Sequence, residues 1–388
     1  MSVDRVCQSK VSLLRMFIVL GWLAVPWFAP NLLSAQIKAQ PFVPGQVLPV
    51  QTKDSGQDSG QDSGDKSTEN AIEEPTQKSN LADQERPRRK RRKKREFTKQ
   101  GGVVYQNIDG EELKCDIYTP AGEGPFPAIL AVHGGAWRQG SKFALLRHAW
   151  KMAQSGYIVV SINYRHAPQH PFPAQIHDCK HAIRWMKSRA SEMKLDPDRI
   201  GAFGYSAGGH LVSLLGTADA EDGLEGDAAP ELKKFDTRVL AVAAGGAPCE
   251  FSWIDGDSRV LKYWLGGSPN QKPDVYRDAS PTTYVSADDP PFFIFHGESD
   301  LIVPVSSSQL FHETLEKSGV PTQHYVAKGA GHFSTFSDLM WMEKAIDFFD
   351  IHLKDQKDTS AGSKEEPSVK VNGAEDQPTE QPNNNAQR

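Results

Sequence analysis

The chain has 388 residues, of which 38% are hydrophobic, and its formal net charge is −5. The length allows two or three domains, but so low a hydrophobic content predicts that part of the chain does not fold. Four cysteines exclude a disulfide-rich scaffold. Apart from Cys7 in the leader, they allow at most one disulfide and have no metal-like spacing, so we interpret Cys115, Cys179 and Cys249 as small buried side chains.

The first 35 residues have the pattern of a secretory signal peptide. Basic residues precede the apolar run from Met16 to Val25, and a small residue at Ala35 provides a cleavage position. The alternative is an uncleaved anchor, because Leu13 to Leu33 nearly reaches the length of a membrane span. Prolines and the short apolar core favour cleavage. We therefore predict export to the periplasm or the extracellular space, with membrane tethering as the alternative.

Residues 36–97 are predicted to form a disordered linker. A short tandem repeat of Asp, Ser, Gly and Gln occupies 54–64, and nine of the ten residues from Arg86 to Arg95 are basic. In an exported protein this basic run favours contact with an anionic cell-surface polymer or lipid, or trypsin-like proteolysis, over nucleic acid binding. A solvated spacer without a partner is the alternative. Residues 355–388 are predicted to be a disordered tail.

Residues 98–354 carry the pattern of one α/β domain. A hairpin around Asp109-Gly110 comes first, and short apolar runs then alternate with helical periods. The predicted later strands are Ala128 to Val132, Tyr157 to Ile162, Arg199 to Phe203, Val239 to Ala243, Phe292 to Phe295 and Gln323 to Ala327. The predicted helices are Ser141 to Gln154, Ala174 to Met193, the run after Ser206, Ser306 to Lys317 and Thr335 to Leu353.

This alternation predicts a mostly parallel central sheet opened by an antiparallel hairpin, with helices on both faces. Two stretches interrupt the alternation. Residues 219–236 are acidic and predict a loop. Residues 249–289 contain Trp253, Tyr263 and Trp264, and predict a small lid or substrate wall.

Gly204-Tyr-Ser-Ala-Gly208 lies between an apolar strand and an apolar helix. A G-x-S-x-G at such a junction forms a sharp turn that exposes the serine hydroxyl, so we predict Ser206 as a nucleophile. The loop from His133 to Trp137 follows another strand. It predicts an oxyanion hole made by the N–H groups of Gly135 and Ala136 together with that of Ala207.

A carboxylate and a histidine follow the last two strands, in the order expected for this fold. Asp300 lies just past the strand from Phe292, with Glu298 as second choice, and His332 follows the strand ending at Ala327. We predict that His332 transfers the proton of Ser206 and that Asp300 orients the imidazole. His133 is expected to bond within its own loop.

His210 and His296 are expected to be structural. The histidines and cysteines have no metal-ligand spacing, and the glycine-rich loops lack a phosphate-binding form. We therefore predict neither a metal nor a cofactor.

These motifs together resemble the α/β-hydrolase superfamily, and within it the esterase branch related to hormone-sensitive lipase. Two further segments carry the resemblance. One is Asp196 to Ile200, and the other is 163–174, with the sequence Asn-Tyr-Arg-His-Ala-Pro-Gln-His-Pro-Phe-Pro-Ala. The sequence around Ser206 is most similar to that of bacterial acetylxylan and feruloyl esterase-like proteins. That resemblance implies hydrolysis of short or aromatic acyl esters, such as those on polysaccharide. Trp137, and with it Trp253, would then line the substrate pocket.

The resemblance leaves other activities open. A lipase, an aryl-formamidase-like amidase and a peptidase are alternatives within the hydrolases. A non-catalytic module that binds a surface through its basic run is the alternative from another class.

Overall fold

The computed structural model describes residues 94–251 and 258–354. Several predictions lie outside the described residues: the signal peptide, most of the linker, the tail and the pocket residue Trp253. The boundaries of the three segments and the role of Trp253 stay predictions. Of the basic run, Lys94 and Arg95 are described. The Arg95 N–H donates to the carbonyl of Gln154 at 2.9 Å, and its guanidinium lies over the ring of Phe126.

A mixed sheet of eight strands forms the centre of the described region, in the order β1-β2-β4-β3-β5-β6-β7-β8. The β1–β2 and β2–β4 pairs are antiparallel and the others are parallel. The strands are β1 (Phe97–Ile108), β2 (Glu111–Pro120), β3 (Phe126–Val132), β4 (Ile158–Ile162), β5 (Leu195–Tyr205), β6 (Ala241–Gly245), β7 (Phe292–Gly297) and β8 (Thr322–Ala327). The turn between β1 and β2 has positive φ at both Asp109 and Gly110, as a two-residue hairpin requires.

Helices cover both faces of this sheet. In the described residues they are α1 (Leu146–Gln154), α2 (Ala174–Ser188), α3 (Ala190–Met193), α4 (Ala207–Thr217), α5 (Arg259–Leu265), α6 (Pro273–Asp278), α7 (Val305–Lys317), α8 (His332–Ser337) and α9 (Leu339–Phe349), followed by a π-helical turn (Asp350–Lys354). Alternate residues of β3 enter two separate cores. Leu130 packs with residues of α2 and α4, whereas Ile129 packs with residues of α1 and α9. Burial on both faces explains why the strand is apolar throughout, and the predicted fold class is confirmed.

Two predicted helices are broken. The one predicted from Ala174 ends at Ser188, and the short α3 that follows stops at Lys194, whose φ is +57°. The predicted last helix begins earlier, at His332, and is interrupted at Asp338, whose carboxylate accepts the N–H of Met340 and caps α9. Apolar periodicity continues across both breaks, so the pattern alone did not separate the segments.

The region from 249 to 289 holds α5 and α6 in its described part. Trp264, predicted to contribute to a lid or wall, is fully buried. Cys115, Cys179 and Cys249 are buried, as predicted, and all three are free. In the residues that the structure describes, every helix is too short or too polar to cross a bilayer.

Candidate active site

Ser206 forms the turn between β5 and α4. Its φ is +58° and its ψ is −125°, a conformation that costs a residue with a side chain about 1–3 kcal/mol. The flanking glycines are required by close approach. A Cβ on Gly204 would lie 2.2 Å from the carbonyl oxygen of Gly208, and one on Gly208 would lie 2.0 Å from that of Val132. The Ser206 N–H donates to Gly245 on β6 at 2.8 Å. The predicted strand-turn-helix geometry is present.

The loop after β3 lies directly against this turn, because β3 and β5 are neighbouring parallel strands that end together. A Cβ on Gly134 would be 3.1 Å from the Cβ of Ser206. Three successive residues then have positive φ: Gly135 (128°), Ala136 (53°) and Trp137 (57°). Glycine favours this region, but the other two residues do not, so the loop is held by its surroundings. The N–H groups of Arg138 and Gln139, both 3.2 Å from the Gly135 carbonyl, close the turn.

The three predicted oxyanion donors therefore come from two segments that adjoin Ser206. Ala207 is the first residue of α4, and an N–H at that position has no acceptor inside its own helix. Gly135 and Ala136 belong to the loop that contacts the serine turn from the side of β3.

Asp300 and His332 are in direct contact. His332 Nδ1 lies 2.6 Å from Asp300 Oδ2, and both side chains are buried. Their loops meet because β7 and β8 pair up to Gly297 and Ala327. The second-choice carboxylate, Glu298, instead accepts the N–H of Gly329 at 2.7 Å.

Tyr205 connects this pair to the serine turn. Its hydroxyl donates to the main-chain carbonyl of His332 at 2.6 Å. The phenol ring needs the space left by Gly245 and Gly246 at the end of β6, where added Cβ atoms would lie 2.5 Å and 2.8 Å from ring atoms of Tyr205. The residue before Ser206 thus holds the backbone of His332 at the same edge of the sheet.

The pKa of Asp300 lies well below its ordinary value. Burial raises this pKa, but hydrogen bonds from His296, Val303, His332 and Ile302 more than offset the effect. The N–H groups of Ile302 and Val303 both donate to Oδ1 at 2.9 Å. Asp300 is therefore a carboxylate at neutral pH, as an acceptor for an imidazole N–H and a counterion to imidazolium must be.

His296, which was predicted to be structural, contacts the candidate site. It is fully buried, and its Nε2 lies 2.9 Å from the Val303 carbonyl and 3.3 Å from Asp300 Oδ2. A carbonyl only accepts, so Nε2 carries the proton and also faces the carboxylate. Its place four residues before Asp300, at the end of a strand leading into the same loop, is the signal that could have indicated this contact.

The predicted pocket residue Trp137 belongs to a buried aromatic cluster. Its indole stacks on Trp264, with ring centroids 3.7 Å apart, and its Nε1 donates to His210 Nδ1 at 3.1 Å. His210 Nε2 in turn bonds to the carbonyl of Ala279, and burial lowers the pKa of His210 to about 3. His210 is therefore a neutral structural residue, as predicted. Only 4% of Trp137 is exposed, so contact with substrate stays a prediction.

His133 also behaves as predicted. Its Nδ1 lies 2.7 Å from the carbonyl of Gly134, within its own loop, and its ring stacks on Tyr164. Burial lowers the pKa of His133 to about 4, so the ring is neutral.

The sheet order, the strained serine turn and the Asp–His pair together define an α/β-hydrolase fold. Residues 115–315 match the family model described as BD-FAE, and the chain belongs to that family. Relatives and solved structures agree with the esterase branch related to hormone-sensitive lipase that the motifs indicated.

Among the relatives, the probable carboxylic ester hydrolase LipM of Mycobacterium tuberculosis is 34% identical over 236 residues, which cover 58% of this chain and 53% of that protein. The chain spans between half and two thirds of the length of the first curated relatives it matches. A truncated carbohydrate esterase from gut microbiota has a TM-score of 0.58 and 26% identity, covering 67% of this chain and 97% of that one. A thermophilic esterase of Thermogutta terrifontis has a TM-score of 0.56 and 27% identity, covering 66% and 92%.

Proposed function

We propose that this protein is a serine carboxylesterase that acts through an acyl-enzyme on Ser206. The main support for this proposal is the 2.6 Å contact between His332 Nδ1 and Asp300 Oδ2. Tyr205 connects this pair to the strained serine turn. A solvated surface module has no need of a buried ion-pair-forming dyad next to a strained serine, which argues against the non-catalytic alternative.

In the proposed reaction, Ser206 Oγ attacks the ester carbonyl while His332 Nε2 takes its proton. Asp300 holds the Nδ1–H tautomer and stabilises the imidazolium. The oxyanion of the tetrahedral intermediate accepts hydrogen bonds from the N–H groups of Gly135, Ala136 and Ala207, each worth about 10²–10³ in rate.

His332 then gives its proton to the oxygen of the leaving alcohol. Water, deprotonated by the same imidazole, hydrolyses the acyl-enzyme and restores Ser206.

We further propose that the substrates are short-chain or aromatic acyl esters, including esters on polysaccharide, and that the protein is exported. The sequence around Ser206, the BD-FAE family and the similarity to a carbohydrate esterase support this substrate class. The leader pattern supports export, and the basic run from Arg86 to Arg95 would hold the enzyme at an anionic surface. Trp137 would line the acyl side and favour small acyl groups, and Trp253 stays a predicted pocket residue.

The test is hydrolysis of p-nitrophenyl acetate by the purified protein and by Ser206→Ala. Ser337→Ala, an exposed serine on α8, serves as the matched control. The proposal predicts activity in the wild type and in Ser337→Ala and loss of at least about 10³-fold in Ser206→Ala. Equal rates in all three proteins would exclude Ser206 as the nucleophile.

A second screen addresses the substrate. Acetyl, butyryl, lauroyl and feruloyl esters are compared, with acetylated xylan beside them. Preference for acetyl or feruloyl groups supports the proposed class, and preference for lauroyl would indicate a lipase instead.

A further inference from the structure

Three large apolar side chains stand exposed beside the Asp300–His332 pair. Leu301 is 97% exposed, Ile302 58% and Phe333 72%. The first two directly follow Asp300, and Phe333 directly follows His332. We call Leu301, Ile302 and Phe333 the apolar rim. Single exposed apolar residues are ordinary, but a group of them at one place on the surface indicates a contact surface.

The backbone that holds the pair also exposes the rim. Asp300 Oδ1 accepts the N–H groups of Ile302 and Val303, which bends the chain and leaves Leu301 on the outside of the bend. His332 and Phe333 are consecutive residues at the start of α8, so their side chains point about 100° apart around the helix axis. The imidazole is buried while the phenyl ring is exposed, with the two ring centroids 5.6 Å apart.

The reaction determines which part of an ester lies on this side. When the tetrahedral intermediate collapses, the bond between the carbonyl carbon and the alcohol oxygen breaks. The electron pair goes to that oxygen, which takes the proton from His332 Nε2. The alcohol portion must therefore lie against the imidazole, whereas the carbonyl oxygen faces the donors of Gly135, Ala136 and Ala207.

We propose that the apolar rim is the leaving-group subsite and that it contacts an apolar face of the alcohol portion. This inference rests on the proposed esterase function. The rim side chains offer no hydrogen-bonding group, and the nearby carboxylate of Glu298 is engaged by the N–H of Gly329. The ligand chemistry is therefore a ring or chain that presents C–H or aromatic surface. An aryl alcohol and the C–H face of a pyranose ring both supply it.

The experiment compares three acetates that give the same acetyl-enzyme: methyl acetate, benzyl acetate and methyl 2-O-acetyl-β-xylopyranoside. Deacylation is common to all three, so differences in kcat/KM report the acylation step, in which the alcohol is still present. The variants are Leu301→Ser, Phe333→Ser and the conservative Phe333→Leu. Leu240→Ser is the matched control, because Leu240 is 38% exposed next to the start of β6, at the edge of the sheet opposite the site.

We expect Leu301→Ser and Phe333→Ser to lower kcat/KM for at least one ring-bearing acetate about tenfold relative to methyl acetate, the low end for a lost apolar contact in a substrate site. Phe333→Leu and Leu240→Ser should retain the wild-type ratio within about threefold. Methyl acetate is the internal reference, so a partly unfolded variant does not change the ratio.

If relative kcat/KM falls for benzyl acetate alone, the rim contacts an aryl alcohol. If it falls for the xyloside, the rim contacts the C–H face of the sugar. Unchanged ratios for both esters in both serine variants would overturn the inference. Failure of the proposed function is a separate result, namely full activity of Ser206→Ala towards all three acetates.

Discussion

We expect that removing the buried imidazole of His296 weakens catalysis, because His296 contacts Asp300 and acts through it. Asp300 accepts hydrogen bonds from two main-chain N–H groups at 2.9 Å and from His332 at 2.6 Å, and the Nε2–H of His296, which it shares with the Val303 carbonyl, lies 3.3 Å from Oδ2. A hydrogen bond to a charged group contributes about 1.5–3 kcal/mol, and the shared His296 contact, at 3.3 Å, is longer than the usual N–H···O distance, so its contribution lies just below that range. We therefore take about 1.4 kcal/mol, which corresponds to a tenfold loss of kcat/KM in His296→Phe.

His296→Gln is the conservative variant, because its side-chain amide places a donor near the position of Nε2. It should recover most of the lost activity. His352→Phe is the control, since His352 is half-buried in the last turn of the described region and packs against Phe348. Thermal melts of all three variants separate a loss of folding from a loss of rate.

The titration of Asp300 distinguishes positioning from packing. Loss of one donor raises the pKa of Asp300 towards its ordinary value of 3.8, so in an NMR titration the Asp300 carboxyl should protonate at a higher pH in His296→Phe than in the wild type, and His296→Gln should restore the wild-type titration. A folded His296→Phe protein with wild-type kcat/KM and an unchanged Asp300 titration would show that His296 does not act through Asp300.

Three further predictions concern the serine turn, two buried histidines and the carboxylates after β7. Gly208→Ala should destabilise the fold by about 3 kcal/mol and abolish activity, because its Cβ would meet the Val132 carbonyl at 2.0 Å; a normal melt would contradict this. Burial lowers the pKa of His148 to about 4 and that of His210 to about 3, whereas the ordinary pKa of histidine is 6.5. At pH values between the lowered and the ordinary pKa, the unfolded chain therefore binds more protons than the folded chain. The melting temperature should therefore fall as the pH drops from about 7 to 4, and a flat profile would contradict this. Asp300→Asn should lower kcat by about 10³–10⁴-fold, whereas the kcat of Glu298→Gln should remain near the wild-type value. The reverse result would identify Glu298 as the carboxylate that orients His332.

The sheet and the serine turn could be predicted because their signals are local. A strand buried on both faces is apolar at every position, as β3 is, and two glycines around Ser206 reveal the close approach of backbones. The placement of Asp300 followed from a general rule, that loops at the carboxyl ends of parallel strands meet at one edge.

The remaining features depend on contacts between distant segments. Nothing in the local pattern indicates that Tyr205 reaches the carbonyl of His332, or that Trp137 stacks on Trp264, 127 positions along the chain from it. The contact of His296 with Asp300 is close in sequence, but it exists only because the loop turns back on the strand end. Backbone capping by Asp338 likewise interrupts a helical period that the apolar residues continue.

Covalent acylation of Ser206 is the step on which the proposed reaction depends, and active-site labelling detects whether this serine is the nucleophile. The protein is incubated with diisopropyl fluorophosphate, and the labelled residue is located by tandem mass spectrometry while residual p-nitrophenyl acetate hydrolysis is followed. We expect one diisopropylphosphoryl group per chain on Ser206, loss of activity in proportion to labelling, and no label in Ser206→Ala. Inactivation with the label on another residue, or full activity after complete labelling of Ser206, would contradict it.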